Sequence, residues 1–142
     1  MQEWALWALA SAVFAALTAI FAKVGLEGID SNFATFIRTL VIAAALVLFL
    51  TYAKKWQPLG ELSARNWLFL TLSGLATGAS WLAYFKALQM GSASQVAPID
   101  KLSVVLVVVF AVIFLGERPS VREWIGIALI ASGVFTLVFA DK

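Results

Sequence analysis

The sequence predicts an all-α integral membrane protein in which five transmembrane helices form a single bundle. Of the 142 residues, 63% are hydrophobic and 13% are charged, whereas soluble domains are roughly half apolar and about a quarter charged. The apolar residues fall into five runs, each close to the roughly 20 residues that a helix needs to cross a bilayer. The predicted spans are about 4–22, 33–52, 67–88, 96–115 and 121–139. Since only short polar connections separate them, we expect one domain over 1–142, with its termini on opposite sides of the membrane.

The composition argues against most enzyme classes. The chain has no cysteine and no histidine, so a disulfide framework, a thiol or imidazole nucleophile and a Cys/His metal site are all excluded. The net charge of +2 is small and scattered along the chain, which does not favour nucleic acid as a partner. We therefore expect no enzymatic activity, no cofactor, no metal ion and no bound nucleic acid.

The first span is predicted from Trp4 to Ala22, with Trp4 and Trp7 at the membrane interface, where amphipathic rings prefer to lie. The amino terminus lacks the basic flank and the cleavage pattern of a signal peptide, so we interpret this segment as a retained span. In the loop that follows, Ser31 or Asn32 is expected to cap the second helix. Small residues recur at helical spacing along the first span, which favours packing against a neighbouring helix over lining a passage. They are Ala8, Ser11, Ala15, Thr18 and Ala22.

The second span carries a charge, Arg38, about one and a half turns inside its start. An arginine side chain keeps its proton, and a charge inside a spanning helix costs roughly 2.5–3.5 kcal/mol on insertion scales. The guanidinium must therefore snorkel to the interface, pair with another group or face water. Lys54, Lys55 and Trp56 follow the span and indicate the opposite membrane surface.

The third span has a patterned set of polar groups. Ser73, Thr77, Ser80 and Tyr84 recur at helical spacing and place four hydroxyls on one stripe. Such a stripe either hydrogen-bonds neighbouring helices or lines a wet cavity. Beside it, the spacing of two glycines forms a GxxxG pattern, which is common at helix contacts in membranes. The glycines are Gly74 and Gly78, and an aromatic group of Trp81, Tyr84 and Phe85 lies at the same end as Lys86.

The fourth span includes two charges, Asp100 and Lys101, near its start. Lys101 lies only about one turn inside the predicted end, so either snorkelling or a functional role explains it. Asp100 has a shorter side chain, and no basic residue lies three or four positions from it. Its partner is therefore expected on another helix, in water, or in a proton on the carboxyl itself. Pro98 is expected in the first turn, where proline is tolerated.

The fifth span is predicted to begin at a capping box. Ser120 is a candidate N-cap, and Glu123 follows three positions later. One face of the helix then carries small residues, which are expected to pack against a helix of the same bundle or of a second chain. These residues are Gly126, Ser132, Gly133 and Thr136.

The basic residues divide evenly between the two predicted membrane surfaces. The amino-terminal side receives Lys54, Lys55, Arg65, Arg118 and Arg122, and the opposite side receives Lys23, Arg38, Lys86, Lys101 and Lys142. A count restricted to loops places the amino-terminal side in the cytoplasm, while the even total leaves insertion in both orientations open. Several charges of the second side lie within about two turns of its surface and predict one polar, mostly cationic mouth. They are Lys23, Arg38, Lys86, Asp100 and Lys101.

Four short patterns, in order along nearly the whole chain, together resemble a known family. They are Arg38; Leu88, Gly91, Ala93, Ser94, Val96 and Pro98; Gly116 and Glu117; and Gly126, Leu129, Ile130, Gly133 and Val134. This set is similar to the EamA family of the drug/metabolite transporter superfamily. Members of that family resemble two tandem five-helix repeats of opposite orientation around a central pathway, and this chain is similar to one repeat.

The resemblance implies that the chain pairs with an inverted copy, because transporters commonly combine two inverted repeats around a central site. The four-helix multidrug transporters of the same superfamily look like such antiparallel pairs. They use a glutamate in the middle of the first helix, whereas Ser11 and Thr18 are the polar groups of the first span here. This departure argues against proton-coupled export of cationic drugs, unless Asp100 takes the proton-carrying role.

The leading hypothesis is a small-solute transporter or exporter that acts as an antiparallel homodimer, by alternating access, in the inner membrane of a prokaryote. Its expected partners are the lipid bilayer, a small-molecule solute and a second copy of the chain. The excess of positive charge favours an anionic or zwitterionic solute. The alternative is an accessory or assembly protein that pairs with another membrane chain. The pathway candidates are Arg38, Lys86, Asp100 and Lys101 for charge, with Ser73, Thr77, Ser80, Trp81 and Tyr84 for hydrogen bonding and stacking; Gly74, Gly78, Gly126 and Gly133 are the helix-packing candidates.

Overall fold

The computed structural model describes residues 3–139, which form helices joined by turns. A short 3₁₀ turn, Leu59–Glu61, lies in the longest connection. The α-helices are α1 (Glu3–Gly25), α2 (Ser31–Tyr52), α3 (Ala64–Met90), α4 (Ala93–Asp100), α5 (Leu102–Phe110) and α6 (Val121–Val138), and a π-helical turn, Ala111–Leu115, continues α5.

Five helical stretches are long and apolar enough to cross a membrane, which confirms the predicted fold class. The fourth of them, Ala93–Leu115, comprises α4, α5 and the π-helical turn. Several helices run beyond a predicted end; α3, for example, extends from Ala64 to Met90, whereas α6 ends at Val138, one residue before its predicted end. Apolar runs show only the part of a helix that hydrocarbon can cover, whereas backbone hydrogen bonds continue into the polar interface.

The described chain divides into two compact units, residues 20–90 and residues 3–19 with 91–139. In the first unit, α2 and α3 pack against each other. Its buried side chains are Leu26, Ser31, Thr35, Phe85 and Leu88. In the second unit, α4 and α5 both pack against α6, and the buried side chains there include Ala111 and Val134.

The start of α2 differs from the prediction. Asp30, rather than Ser31 or Asn32, is the N-cap, and its Oδ1 accepts hydrogen bonds from the backbone N–H groups of Asn32 at 2.9 Å and Phe33 at 3.1 Å. Ser31 lies inside the first turn and is fully buried. Asp30 has the extended backbone that an N-cap needs (φ −62°, ψ 133°), so the helix begins at Ser31, two residues before the predicted start of the span at residue 33.

The capping box at the start of α6 is confirmed. The Ser120 Oγ accepts from the Glu123 N–H at 3.4 Å, and the Ser120 N–H donates to Glu123 Oε2 at 2.6 Å. Two backbone donors that have no partner within the helix are thereby satisfied.

The fourth span is interrupted, contrary to the prediction of a continuous helix from residue 96. The helix already begins at Ala93, so Pro98 lies in its second turn rather than its first. Proline has no N–H, and its ring crowds the carbonyl four residues earlier. α4 ends at Asp100 and α5 begins at Leu102, and across this break the Lys101 N–H bonds to the Pro98 carbonyl at 3.0 Å.

The same span ends at a glycine that adopts a left-handed conformation. Gly116 has φ +69°, and its N–H and that of Glu117 both donate to the carbonyl of Ala111. These two bonds satisfy a carbonyl that the helix end would otherwise leave unpaired.

Candidate functional site

The most distinctive contact in residues 20–90 is made by Arg38 of α2 with two rings of α3. The guanidinium carbon Cζ lies 4.7 Å from the ring centroid of Trp81 and 4.6 Å from that of Phe85. Trp81 and Phe85 are four residues apart, so they lie one above the other on the same helix face. Of the three arrangements that the sequence allows for Arg38, the structure shows pairing, and the partners are aromatic faces.

Aromatic pairing lowers the cost of placing this charge in a span. An arginine in a spanning helix costs roughly 2.5–3.5 kcal/mol on insertion scales, and each cation–π contact contributes about 0.5–2 kcal/mol. The two contacts therefore offset a large part of the cost. Within residues 3–139 the only ion pair is that between Asp100 and Lys101, so no described carboxylate neutralises Arg38.

Phe85 is a member of this cluster that the sequence-based set of pathway residues did not include. It is 2% exposed and makes an edge-on contact with Tyr84, with ring centroids 6.0 Å apart and an interplanar angle of 86°. Its four-residue spacing from Trp81 is the sequence signal that could have identified it, because both rings then reach the same point on α2. We refer to Arg38, Trp81 and Phe85 as the arginine–aromatic cluster.

Lys23, near the end of α1, is predicted from the sequence to contribute positive charge to the cationic mouth. In the structure its ammonium group is hydrogen-bonded to the backbone of α3. Its Nζ donates a 2.6 Å hydrogen bond to the backbone carbonyl of Leu88 in the last turn of α3. The last carbonyls of a helix lack partners within it and carry partial negative charge. A second cross-link lies nearby, since Gln89 Nε2 donates to the Ile29 carbonyl at 2.9 Å. Lys23 therefore stabilises the end of α3.

The hydroxyl stripe of α3 lies on the helix that carries Trp81 and Phe85. The Thr77 hydroxyl donates to the carbonyl of Ser73 at 2.9 Å, one turn earlier on the same helix. Ser73, Thr77 and Ser80 are exposed and Tyr84 is half-buried. Lys86 is exposed on the same helix. That the four hydroxyl side chains and Lys86 line a solute pathway stays a prediction.

Asp100 and Lys101 form an ion pair with each other, with 3.3 Å between Lys101 Nζ and Asp100 Oδ2. The expectation that Asp100 needs another helix, water or a proton is therefore wrong. Adjacent residues do not face each other in a regular helix, but Lys101 lies at the break between α4 and α5, where the backbone turns. The side chains are 54% exposed at Lys101 and 36% at Asp100, and pairs exposed to this degree contribute about 0–1 kcal/mol.

The structure thus brings some of the predicted site residues together and leaves others separate. Arg38 and Trp81 meet within residues 20–90, and Asp100 and Lys101 meet within the second unit. A single cationic mouth would need residues of both units and stays a prediction. Lys142, which the sequence places on the same side, lies outside the described residues.

The four glycines predicted to mediate helix packing have open space beside them. A Cβ atom built at any of them would meet no heavy atom within 4 Å among the described residues, the backbone of the same helix being left aside. Within each compact unit no neighbouring helix approaches these positions closely, and their role in helix packing stays a prediction. The positions are Gly74, Gly78, Gly126 and Gly133.

Comparison with known proteins assigns the chain to a family. Residues 2–139 match the EamA-like transporter family. A protein of Sinorhizobium sp named "Uncharacterized transporter in cobO 3'region" is 56% identical over 136 residues, which cover 96% of each chain. A protein of Bacillus subtilis (strain 168) named "Uncharacterized transporter YxxF" is 28% identical over 135 residues, which cover 94% of this chain but 42% of that protein. No solved structure is significantly similar. The family match over nearly the whole chain confirms the resemblance that the motifs indicate, and the chain belongs to the EamA-like transporter family.

Proposed function

We propose that this membrane transporter moves a small solute by alternating access and works as an antiparallel homodimer in a bacterial inner membrane. The observation that carries the proposal is the difference in length between this chain and one relative. The matched segment is 94% of this chain and only 42% of the Bacillus subtilis protein. That protein is therefore more than twice as long as the matched segment and has room for a second unit of the same size.

The number of spans explains why the second copy would be inverted. Five crossings are an odd number, so a second five-helix unit fused behind the first enters the membrane in the opposite orientation. Inverted units enclose a central site that can open to either side of the membrane. Two separate copies reach the same arrangement if the chain inserts in both orientations.

The distribution of charge leaves insertion in both orientations open. Lysine and arginine in loops set the orientation of membrane proteins, and a count restricted to loops favours the amino-terminal side in the cytoplasm. The total of ten basic residues, by contrast, is divided five against five between the predicted surfaces. The solute pathway would be lined by the charged, hydroxyl and aromatic candidates of the spans, with the arginine–aromatic cluster as its best-defined part.

The proposal is tested by placing a reporter on the carboxyl terminus. Alkaline phosphatase is active only outside the cytoplasm and green fluorescent protein fluoresces only inside it. An antiparallel homodimer requires both fusions to give substantial signal from cells with equal amounts of protein. Signal from one reporter alone would contradict the proposal and favour a separate inverted partner or a protein that assembles with another membrane chain.

A charge variant sharpens the same experiment. The double change Lys54→Gln with Lys55→Gln removes two basic residues from the amino-terminal side, and that side should then enter the cytoplasm less often. The carboxyl terminus lies on the other side, so fluorescence should rise and phosphatase activity fall. The matched control, Lys54→Arg with Lys55→Arg, keeps both charges and should leave the ratio of the two signals unchanged.

A further inference from the structure

We propose that the arginine–aromatic cluster is a binding site for the oxyanion of the transported solute, with Arg38 holding a carboxylate through its in-plane N–H groups. This inference rests on the proposed function, since it names the chemical class of the solute. It does not depend on the antiparallel dimer, because each copy contains the whole cluster within residues 20–90.

The first argument concerns the hydrogen-bond donors of Arg38. A guanidinium has five N–H donors and no acceptor. A ring face attracts the positive charge of the group, but it does not accept these N–H groups as an oxygen atom does. Arg38 makes no hydrogen bond or ion pair with the residues that the structure describes; its contacts there are the faces of Trp81 and Phe85. Its donors therefore remain available to a ligand.

The second argument concerns charge. Residues 20–90 contain six basic residues and three carboxylates. The carboxylate nearest to Arg38 in the sequence, Asp30, is already used as the N-cap of α2. Glu27 and Glu61 form no ion pair with a described residue. Arg38 is half-buried within an apolar span, and a charge in such surroundings is stabilised strongly by a counter-charge. No carboxylate of residues 3–139 pairs with Arg38, so an anion from outside is the complement that we propose.

The third argument concerns shape. The guanidinium is a rigid planar fork that matches two oxygens of one carboxylate or phosphate, which an ammonium group does not. Trp81 and Phe85 hold the guanidinium carbon over their ring faces, so the position of the fork is set before a ligand arrives. An oxyanion with two oxygens in one plane is therefore the ligand that fits best. A free solute and a lipid phosphate share this chemistry, and we assign the site to the solute.

The test follows the Nε–H signals of arginine by nuclear magnetic resonance, with ¹⁵N-labelled arginine in the full-length protein in nanodiscs of zwitterionic phosphatidylcholine. The chain has four arginines, so four Nε–H signals are expected, and the signal that disappears in Arg38→Lys belongs to Arg38. Sodium benzoate is the probe, and benzamide, which has the same ring without the charge, is the matched control ligand. We expect saturable shifts of the Arg38 signal with benzoate and none with benzamide.

Two variants distinguish binding of benzoate at this site from nonspecific attraction of benzoate to positive charge. Arg38→Lys keeps the charge and loses the fork, so benzoate should bind about tenfold more weakly or worse, as judged by calorimetry. Arg65 is the control within the chain, because it lies over one ring only, at 5.8 Å from the centroid of Phe69. Arg65→Lys should leave the benzoate affinity unchanged.

Three results would overturn the assignment. The first is an Arg38 signal that does not move with benzoate, and the second is an equal shift with benzamide. The third is an Arg38 signal that is already shifted in nanodiscs containing anionic phosphatidylglycerol and no longer responds to benzoate, which would make the ligand a lipid headgroup. All three readouts are independent of membrane orientation, so they are distinct from failure of the reporter experiment.

Discussion

At the scale of single residues, charged side chains in or near the spans are accommodated in three different ways. Arg38 lies over two aromatic rings, Lys23 bonds to a carbonyl at the end of α3, and Asp100 pairs with its neighbour Lys101. The first arrangement leaves N–H donors available, the second uses the charge to complete a helix end, and the third neutralises a carboxylate at a helix break. The first therefore leaves a guanidinium without an ion-pair partner among the described residues.

Replacing Lys23 with methionine should destabilise the protein by about 1–2 kcal/mol, the upper part of the range measured for hydrogen bonds between membrane helices. The change keeps a long apolar side chain and removes the 2.6 Å bond to the Leu88 carbonyl. That carbonyl belongs to a residue whose side chain is fully buried, so water has little access to replace the bond. Unfolding of the solubilised protein by titration with sodium dodecyl sulfate measures the difference.

Lys55→Met is the matched control for this measurement. Lys55 is exposed in the connection after α2, and its replacement should change the free energy of unfolding by less than about 0.5 kcal/mol. An equal loss of stability in the two variants would show that the bond from Lys23 to α3 contributes nothing specific.

At the scale of elements, the fourth span is the least regular part of the chain. It consists of α4, a break at Lys101, α5 and a π-helical turn, and it ends at Gly116. Pro98 lies three residues before the break; it cannot donate a backbone hydrogen bond and crowds the turn that precedes it, which adds to the irregularity of this span. Interrupted helices occur around the substrate sites of transporters, so the position of the Asp100–Lys101 pair at this break keeps both residues among the pathway candidates.

Replacing Gly116 with alanine should lower stability by roughly 1–2 kcal/mol, the cost of a left-handed conformation for a residue with a Cβ atom. Gly116 has φ +69°, and an added Cβ would meet no heavy atom within 4 Å. The cost is therefore one of backbone conformation rather than of collision. The same unfolding titration measures it.

Gly60→Ala provides the comparison for Gly116→Ala. Gly60 also has open space beside it, but its φ is not in the left-handed region. Its replacement should be neutral within about 0.5 kcal/mol. Equal stability of Gly116→Ala and Gly60→Ala would contradict the left-handed backbone conformation of Gly116 at the end of the fourth span.

At the scale of the whole molecule, much of the apolar surface remains uncovered. In each of the five spans only 6% of the most apolar window is buried, and the rest must meet lipid or a second chain. α6 is suited to the second role, because Gly126 and Gly133 lie seven residues apart and share a face to within about 20°. Close contact with another helix is favoured where small residues let two backbones approach.

The register of α6 distinguishes an antiparallel dimer from a parallel one if α6 forms the contact. Gly126 lies five residues after Val121, and Gly133 lies five residues before Val138. Two antiparallel copies that cross at the middle of α6 therefore place Gly126 opposite Gly133 of the partner. Two parallel copies place each glycine opposite itself.

Cysteine cross-linking tests this register without background, since the chain has no cysteine. Co-expressed Gly126→Cys and Gly133→Cys variants with different tags should form a mixed disulfide on oxidation in the membrane, and neither variant should cross-link to itself. Seven residues correspond to about 10 Å along a helix, whereas the Cβ atoms of a disulfide lie about 4 Å apart. Efficient self-cross-linking of either variant would instead show a parallel contact.

The spans, the family and the capping box of α6 could be predicted from the sequence because each depends on local information. Apolar runs report length against the bilayer, and the Ser120–Glu123 pair acts within one helical turn. The N-cap of α2 could not be predicted in the same way, because Asp30, Ser31 and Asn32 are all good capping residues. Which of the three residues acts as the N-cap depends on where the helical backbone begins.

Composition and hydropathy are enough to predict a helical protein, five segments long and apolar enough to cross a membrane, and the residues that carry charge into those segments. What these charges meet follows only from the way the helices pack. The contact of Arg38 with Trp81 and Phe85 joins residues more than forty positions apart, and the bond from Lys23 to Leu88 joins residues 65 positions apart. Hydropathy and spacing describe one helix at a time, whereas the partner of a buried charge is set by how two helices pack, which depends on every side chain along their contact.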